Sequence, residues 1–243
     1  MRALLFTLLL ATAGCATIPS ERGGVLFEEL ADGVWMHTSY ADLPGIGPYP
    51  SNGLIVIDGE ETILVDSGWD EDQTGAILDW AANDLGYPVT KAIFTHAHDD
   101  RMAGIAVVRS RGIETYSHAL ANAVAAERGL RPADQALSFG FNDVARYLEP
   151  LVVFYPGPGH AVGNLVVRVP GTPVLFGGCL VRPPGAKTLG NTADADIENW
   201  GNAVLRVRDS FPGATLVIPG HGSPGGRDLL DATAVLVTAA GEN

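Results

Sequence analysis

Six side chains of the types that hold metal ions sit at chain positions where strands give way to loops. His96, His98 and Asp100 fall within Phe94-Thr95-His96-Ala97-His98-Asp99-Asp100-Arg101. His160 closes Pro156-Gly157-Pro158-Gly159-His160, Cys179 closes Phe176-Gly177-Gly178-Cys179, and His221 closes Pro219-Gly220-His221. His96 and His98 are one residue apart, so in extended chain both side chains point to the same side. Imidazole, carboxylate and thiolate together suit zinc, and six such donors suit two adjacent zinc sites, each with room for water. A polar loop with chance histidines would explain one of these segments but not four. The remaining histidines, His37 and His118, read as structural or surface residues.

The elements that must position these groups are legible as apolar runs. Strands are expected at Val25–Leu30, Val34–Ser39, Asn52–Asp58, Thr62–Asp66, Val89–Phe94, Ile113–Tyr116, Leu151–Tyr155, Leu165–Val169, Val174–Phe176 and Leu216–Ile218. Helical spacing predicts helices over Glu71–Leu85, from Met102 to Arg109, over Leu120–Arg128, over Ile197–Phe211 with Asp194 or Asp196 as N-cap, and over Arg227–Ala240. Gln135–Pro150 carries no clear pattern. The order of strands then helix recurs in each half, which suggests two β-rich halves, each with helices on one sheet. Tyr40–Pro50, rich in Gly and Pro, reads as a loop. Its apolar Leu43, Ile46 and Tyr49 either fold back onto the core or form a mobile flap over a substrate.

The chain has 243 residues, 47% hydrophobic and 18% charged, which fits one large globular domain. Its formal net charge of −13 argues against a nucleic-acid backbone as partner. Residues 1–14 read as a processing signal: one Arg, then an unbroken run of apolar and small residues from Ala3 to Ala13, too short to span a bilayer. Thr12-Ala13-Gly14-Cys15 resembles a bacterial lipobox, which would make Cys15 a lipid anchor. Cleavage after Ala11-Thr12-Ala13 is the competing reading, and both export the protein. Residues 15–24 then read as a tether and 25–243 as the domain. With Cys15 lipidated or in the tether, Cys179 is an unpaired thiol in an exported protein, which a metal would explain.

These motifs resemble the metallo-β-lactamases, specifically subclass B1, from about Val34 to the C-terminus. The resemblance rests on H-x-H-x-D followed by His160, Cys179 and His221. It extends to Thr38-Ser39-Tyr40 with Pro44-Gly45, Leu64-Val65-Asp66, Phe176-Gly177-Gly178-Cys179-Leu180, and Leu189-Gly190-Asn191 with Asp194-Ala195-Asp196. It implies an α/β fold, the four-layer αβ/βα sandwich. It implies two zinc ions per chain, one on His96, His98 and His160 and one on Asp100, Cys179 and His221. It also implies hydrolysis of the amide bond of a small-molecule β-lactam by a zinc-bound hydroxide, and no protein partner is implied; with the export signal, the expected location is the periplasm of a Gram-negative bacterium. Asp100 and Asn191 would serve catalysis, Asn191 by its amide. Substrate would meet Arg182, Asn191, Leu43 and Ile46, with Arg182 taking the carboxylate where many relatives carry Lys. Asp66 and Arg101 would support the metal ligands from behind.

Two departures bear on substrate preference: Pro183-Pro184-Gly185 follows Arg182, and Ile46 stands where some relatives carry an aromatic. The alternatives are another hydrolase of the same superfamily, of thioesterase type, and a non-catalytic zinc-binding exported protein.

Overall fold

The computed structural model describes residues 20–140 and 143–241. The expected signal, Cys15 and the first half of the tether lie outside the described residues. The chain forms β1 (Ser20–Arg22), β2 (Val25–Ala31), β3 (Val34–Leu43), β4 (Gly47–Asp58), β5 (Glu61–Val65) and α1 (Glu71–Trp80). It continues through β6 (Lys91–Phe94), α2 (Asp99–Met102), α3 (Ile105–Ser110), β7 (Glu114–His118), α4 (Ala119–Glu127) and β8 (Gln135–Leu137). The second half comprises β9 (Val144–Leu148), β10 (Leu151–Phe154), β11 (Val166–Arg168), β12 (Val174–Gly178), α5 (Ile197–Ser210), β13 (Leu216–Pro219) and α6 (Asp228–Gly241).

Strands β1 to β8 form one sheet in sequence order, and β13-β12-β11-β10-β9 form a second. Strand alternation builds the layers, because successive side chains leave a strand on opposite faces. Leu54, Val56, Ile63, Val65 and Ile93 point between the sheets, where they meet Val153, Val167, Phe176 and Ile218. Their neighbours Ile55, Leu64, Ala92 and Phe94 point outward onto Ile77, Leu78, Ile105 and Val108 of α1 and α3. Phe154, Val166, Leu175 and Val217 point outward on the other side onto Trp200, Val204 and Leu230 of α5 and α6. Two sheets face to face, each covered by helices, give the four-layer αβ/βα sandwich.

Three expectations change. Ser20–Arg22 is paired with β2, so the folded domain reaches back into the expected tether. Tyr40–Pro50 is a β-ribbon rather than a loop: β3 and β4 stay in register out to Leu43↔Gly47, with Ile46 at the tip and 66% exposed. The helix expected from Met102 is divided into α2 and α3 on either side of Gly104, where a side chain would lie 1.9 Å from Thr74 Oγ1. The Gln135–Pro150 region contributes the edge strands β8 and β9.

The chain ends of β5, β6, β12 and β13, two parallel pairs, open at one rim of the sandwich. That rim is stitched across the sheets. Asn52 N donates to Gly220 O at 2.9 Å, its Nδ2 donates to Pro219 O and Gly222 O, and Leu165 N donates to Thr95 O at 2.9 Å.

Candidate metal centre

Three histidine nitrogens converge on this rim. His96 Nε2 lies 3.1 Å from His98 Nδ1, and His160 Nε2 lies 3.2 Å from the same atom. Beside them, Asp100, Cys179 and His221 form a second group: Cys179 Sγ is 3.6 Å from Asp100 Oδ2, and His221 Nε2 is 3.3 Å from both Cys179 Sγ and Asp100 Oδ2. Within each group the candidate donor atoms lie within 4.8 Å of one another. Gly220 permits the second group, since a Cβ there would sit 2.5 Å from Cys179 Sγ.

The donor chemistry fits zinc. Burial pushes His96 well below the usual imidazole range, His160 to about 3 and His221 to about 4, so their lone pairs are free near neutral pH. At these separations the facing nitrogens either share a proton or, with their lone pairs turned inward, can share a cation. Tetrahedral coordination at zinc–nitrogen distances of about 2 Å places neighbouring nitrogens about 3.3 Å apart, close to the spacing in the His96–His98–His160 group.

The far nitrogens are held by fixed partners, an arrangement that orients metal-binding imidazoles. His96 Nδ1 is 3.2 Å from Thr95 Oγ1, His98 Nε2 is 2.8 Å from Asp194 Oδ2, and His221 Nδ1 donates to Pro50 O at 2.7 Å. His160 Nδ1 is buried and has no hydrogen-bond partner among the described residues.

Arg101 lies beneath the second group with its side chain fully buried. Its Nε donates to Asp100 Oδ2 at 2.9 Å, Nη1 to Asn52 O and to Asp66 Oδ2, and Nη2 to Gly220 O at 2.8 Å. Burial alone would raise the Asp100 carboxyl, but the charge of Arg101, aided by His221 and His98, outweighs it and holds Asp100 down to about 2. Asp66 balances differently: burial outweighs Arg101 and lifts it to about 6. Asp66 is the one non-glycine residue with positive φ, +61°, among the described residues. That backbone turns its carboxylate back to accept from Thr95 N at 2.7 Å and Thr95 Oγ1 at 2.8 Å. Thr95 in turn meets His96, so Asp66 reaches that histidine through one hydroxyl.

A groove of about 610 Å³ lies over the two groups. Leu43, Ile46, Arg182 and Asn191 line it together with His98, Asp100, His160 and His221, so the expected substrate residues and four of the six donors share one cavity. Asn191 Oδ1 accepts from Ala193 N at 3.1 Å. Arg182 Nε donates to Thr188 O at 3.2 Å. The two remaining histidines are both buried and outside the donor groups: His37 lies within β3, and His118 stacks on Tyr155 with ring centroids 4.2 Å apart.

Other residues, only Arg128 and Trp69 of them not singled out from the sequence, also belong here. Asp196 is the N-cap of α5, accepting from Asn199 N, while Asp194 turns to His98 and Arg128. Arg128 and Trp69 line the groove, and Tyr49 lies 4.7 Å from His221, centroid to centroid. Trp69 follows the end of β5 as the histidines follow theirs, a positional signal. Arg128 and Asp194 are 66 residues apart, so their pairing leaves no local signal.

Comparison with known proteins agrees with this architecture. Residues 46–221 match the family model described as the metallo-beta-lactamase superfamily. A protein of Bacteroides fragilis named metallo-beta-lactamase type 2 is 35% identical over 212 residues, covering 86% of this chain and 84% of its own length. A metallo-beta-lactamase of Pseudomonas aeruginosa, crystallised in a mono-zinc form, superposes with a TM-score of 0.86 at 48% identity, over 89% of this chain and 96% of that one. A metallo-beta-lactamase of Erythrobacter litoralis gives 0.88 at 41% identity, over 91% of this chain and 100% of that one.

Proposed function

The chain belongs to the metallo-beta-lactamase superfamily, and from that premise we propose that it is a zinc-dependent hydrolase that opens the amide bond of β-lactam antibiotics. The observation that carries the reading is the placement of two complete donor groups, His96–His98–His160 and Asp100–Cys179–His221, under one groove. We assign one zinc to each group.

Zinc held there supplies a Lewis acid and lowers the pKa of water to about 7, so that a nucleophile is available at neutral pH without an activated serine. The protein's own residues do the rest. Arg101 keeps Asp100 ionised, and Asp194, Thr95 and the Pro50 carbonyl fix the imidazoles. Asn191 commits its amide oxygen to Ala193 N, which leaves its NH2 group as a donor for the oxyanion that develops on the lactam carbonyl. Arg182 spends Nε on Thr188 O and keeps its terminal nitrogens for the substrate carboxylate. Leu43 and Ile46, on the β-ribbon, cover the bound drug from above.

We also place the protein in the periplasm of a Gram-negative bacterium, with Cys15 as a lipid anchor; the apolar run from Ala3 to Ala13 and the following Cys support export. Hydrolysis of a chromogenic cephalosporin, followed with and without chelator, tests the catalytic reading. Activity that disappears on dialysis against chelator and returns with zinc is expected, and undiminished turnover by metal-free protein would overturn it.

A further inference from the structure

Two arginines border the groove, and the proposed function uses only one of them. Arg182 stands at the Asp100–Cys179–His221 end, near enough for its charge to help hold His221 low. Arg128 stands at the other end, where α4 finishes, and pairs through Nη2 with Asp194, whose Oδ2 also meets His98. The chain carries a net charge of −13, so its overall field opposes an anionic substrate, and local cations must offset it.

Arg128 is not consumed by its ion pair. A guanidinium has five N–H donors, and among the described residues Nε and Nη1 of Arg128 make no hydrogen bond. The side chain is 37% exposed and faces the same cavity as Arg182. An arginine that served only to hold Asp194 would have no need to present its remaining donors to that cavity.

A β-lactam has two ends. The ring carboxylate lies beside the lactam nitrogen, and the acyl side chain is borne on the far side of the carbonyl. With the carboxylate at Arg182 and the carbonyl over the donor groups, the acyl side chain runs toward Arg128. We propose that Arg128 is a specificity-determining residue that selects β-lactams carrying a second anionic group on the acyl side chain. This inference rests on the β-lactam reading of the groove. The pair it forms is partly solvated, so the expected gain is about two- to fivefold in kcat/KM and falls as salt rises.

The test uses carbenicillin and benzylpenicillin, which differ by one side-chain carboxylate, on the zinc-loaded enzyme. Arg128→Gln should lower kcat/KM for carbenicillin about two- to fivefold more than for benzylpenicillin, mainly through KM. Arg128→Lys should recover most of that difference, and Arg128→Glu should enlarge it, with zinc content equal throughout. An equal fall on both substrates would make Arg128 a prop for Asp194 and overturn the subsite, as would no change on either. Wild-type enzyme that opens neither drug overturns the subsite, and if it also leaves the chromogenic cephalosporin intact it overturns the β-lactam reading itself.

Discussion

Arg101 donates from Nε to Oδ2 of Asp100 at 2.9 Å, and the two side chains are 0% and 7% exposed. Removing the arginine leaves two buried carboxylates, Asp100 and Asp66, without their cation, and takes one donor each from the carbonyls of Asn52 and Gly220. Breaking a buried ion pair from one side costs about 3–5 kcal/mol. Arg101→Ala should therefore lower the denaturation midpoint of the metal-free protein by a corresponding amount. Arg101→Lys should recover part of it, because one ammonium cannot reach all four acceptors. A midpoint unchanged in Arg101→Ala would show that the network stores no stability.

Asp194 makes a second prediction. Its Oδ2 fixes His98 Nε2 and leaves Nδ1 for the donor group. Loss of such an orienting carboxylate costs about ten- to a hundredfold in metal affinity. Asp194→Ala should weaken one zinc site by that factor and spare the other, as read by competition with a chromogenic chelator. Two unaltered affinities would reduce Asp194 to a surface residue.

How much of this was legible follows from where each signal resides. The six donors were readable because each follows an apolar run, and strand ends on one rim converge. The layers were readable because Leu54-Ile55-Val56 and Ile63-Leu64-Val65 alternate between two cores, although continuous apolar runs do not say which residue enters which. Ser20–Arg22 is polar and gains its strand only by pairing with β2, so no local pattern announces it. The ribbon beyond Tyr40 was hidden by Pro44, Pro48, Pro50 and two glycines, which β-structure tolerates at a hairpin edge. The Arg128–Asp194–His98 chain joins three distant segments, and only folding creates it.

His37 gives the pH prediction. It is fully buried, and burial, reinforced by the charge of Arg101, outweighs hydrogen bonding to the backbone of Val65 and Asp66 and lowers its pKa to about 3. The unfolded chain binds a proton at this residue below about pH 6.5, whereas the folded chain does not until about pH 3. Between those values stability rises with pH, so acidification costs about 1.4 kcal/mol per pH unit for this group. Asp66, raised to about 6, acts in the opposite sense between pH 3.8 and 6, but it does so equally in wild type and variant. His37→Phe should flatten the acid limb of the stability curve of the metal-free protein. Parallel curves for the two proteins would show that His37 does not titrate on unfolding.

Cys179 gives a prediction on metal binding itself. Burial raises its thiol above the ordinary range, and Asp100 adds to that against the pull of Arg101, so in the metal-free protein it is protonated at neutral pH. A thiolate is the form that binds zinc, so loading the second group must release a proton. Calorimetry in buffers of different ionisation enthalpy should detect about one proton per second-site zinc, and Cys179→Ser should abolish that release and weaken the site. Proton release unchanged in Cys179→Ser would remove this residue from the ligand set.

Arg182 bears on the substrate. Its Nε is tied to Thr188 O at 3.2 Å, and its terminal nitrogens pass over Gly190, where a Cβ would lie 3.0 Å from Nη1. The guanidinium is thus held at the edge of the groove by the loop that carries Asn191. A hydrogen-bonded charge pair contributes about 1.5–3 kcal/mol, so Arg182→Ala should cost roughly ten- to a hundredfold in substrate binding. The ring carboxylate is remote from the bond that breaks, and the pair should form equally in ground and transition states. The loss should then fall on KM, with kcat much less changed. Gly190→Ala should produce a milder form of the same defect by crowding the guanidinium, because φ at Gly190 is +74° and the added methyl meets it directly. Lys187 is the cation nearest Arg182 in sequence, but it lines a separate groove behind the loop, against Leu236 and Ala240. A normal KM in Arg182→Ala would therefore place the carboxylate anchor on neither residue and require a different binding pose.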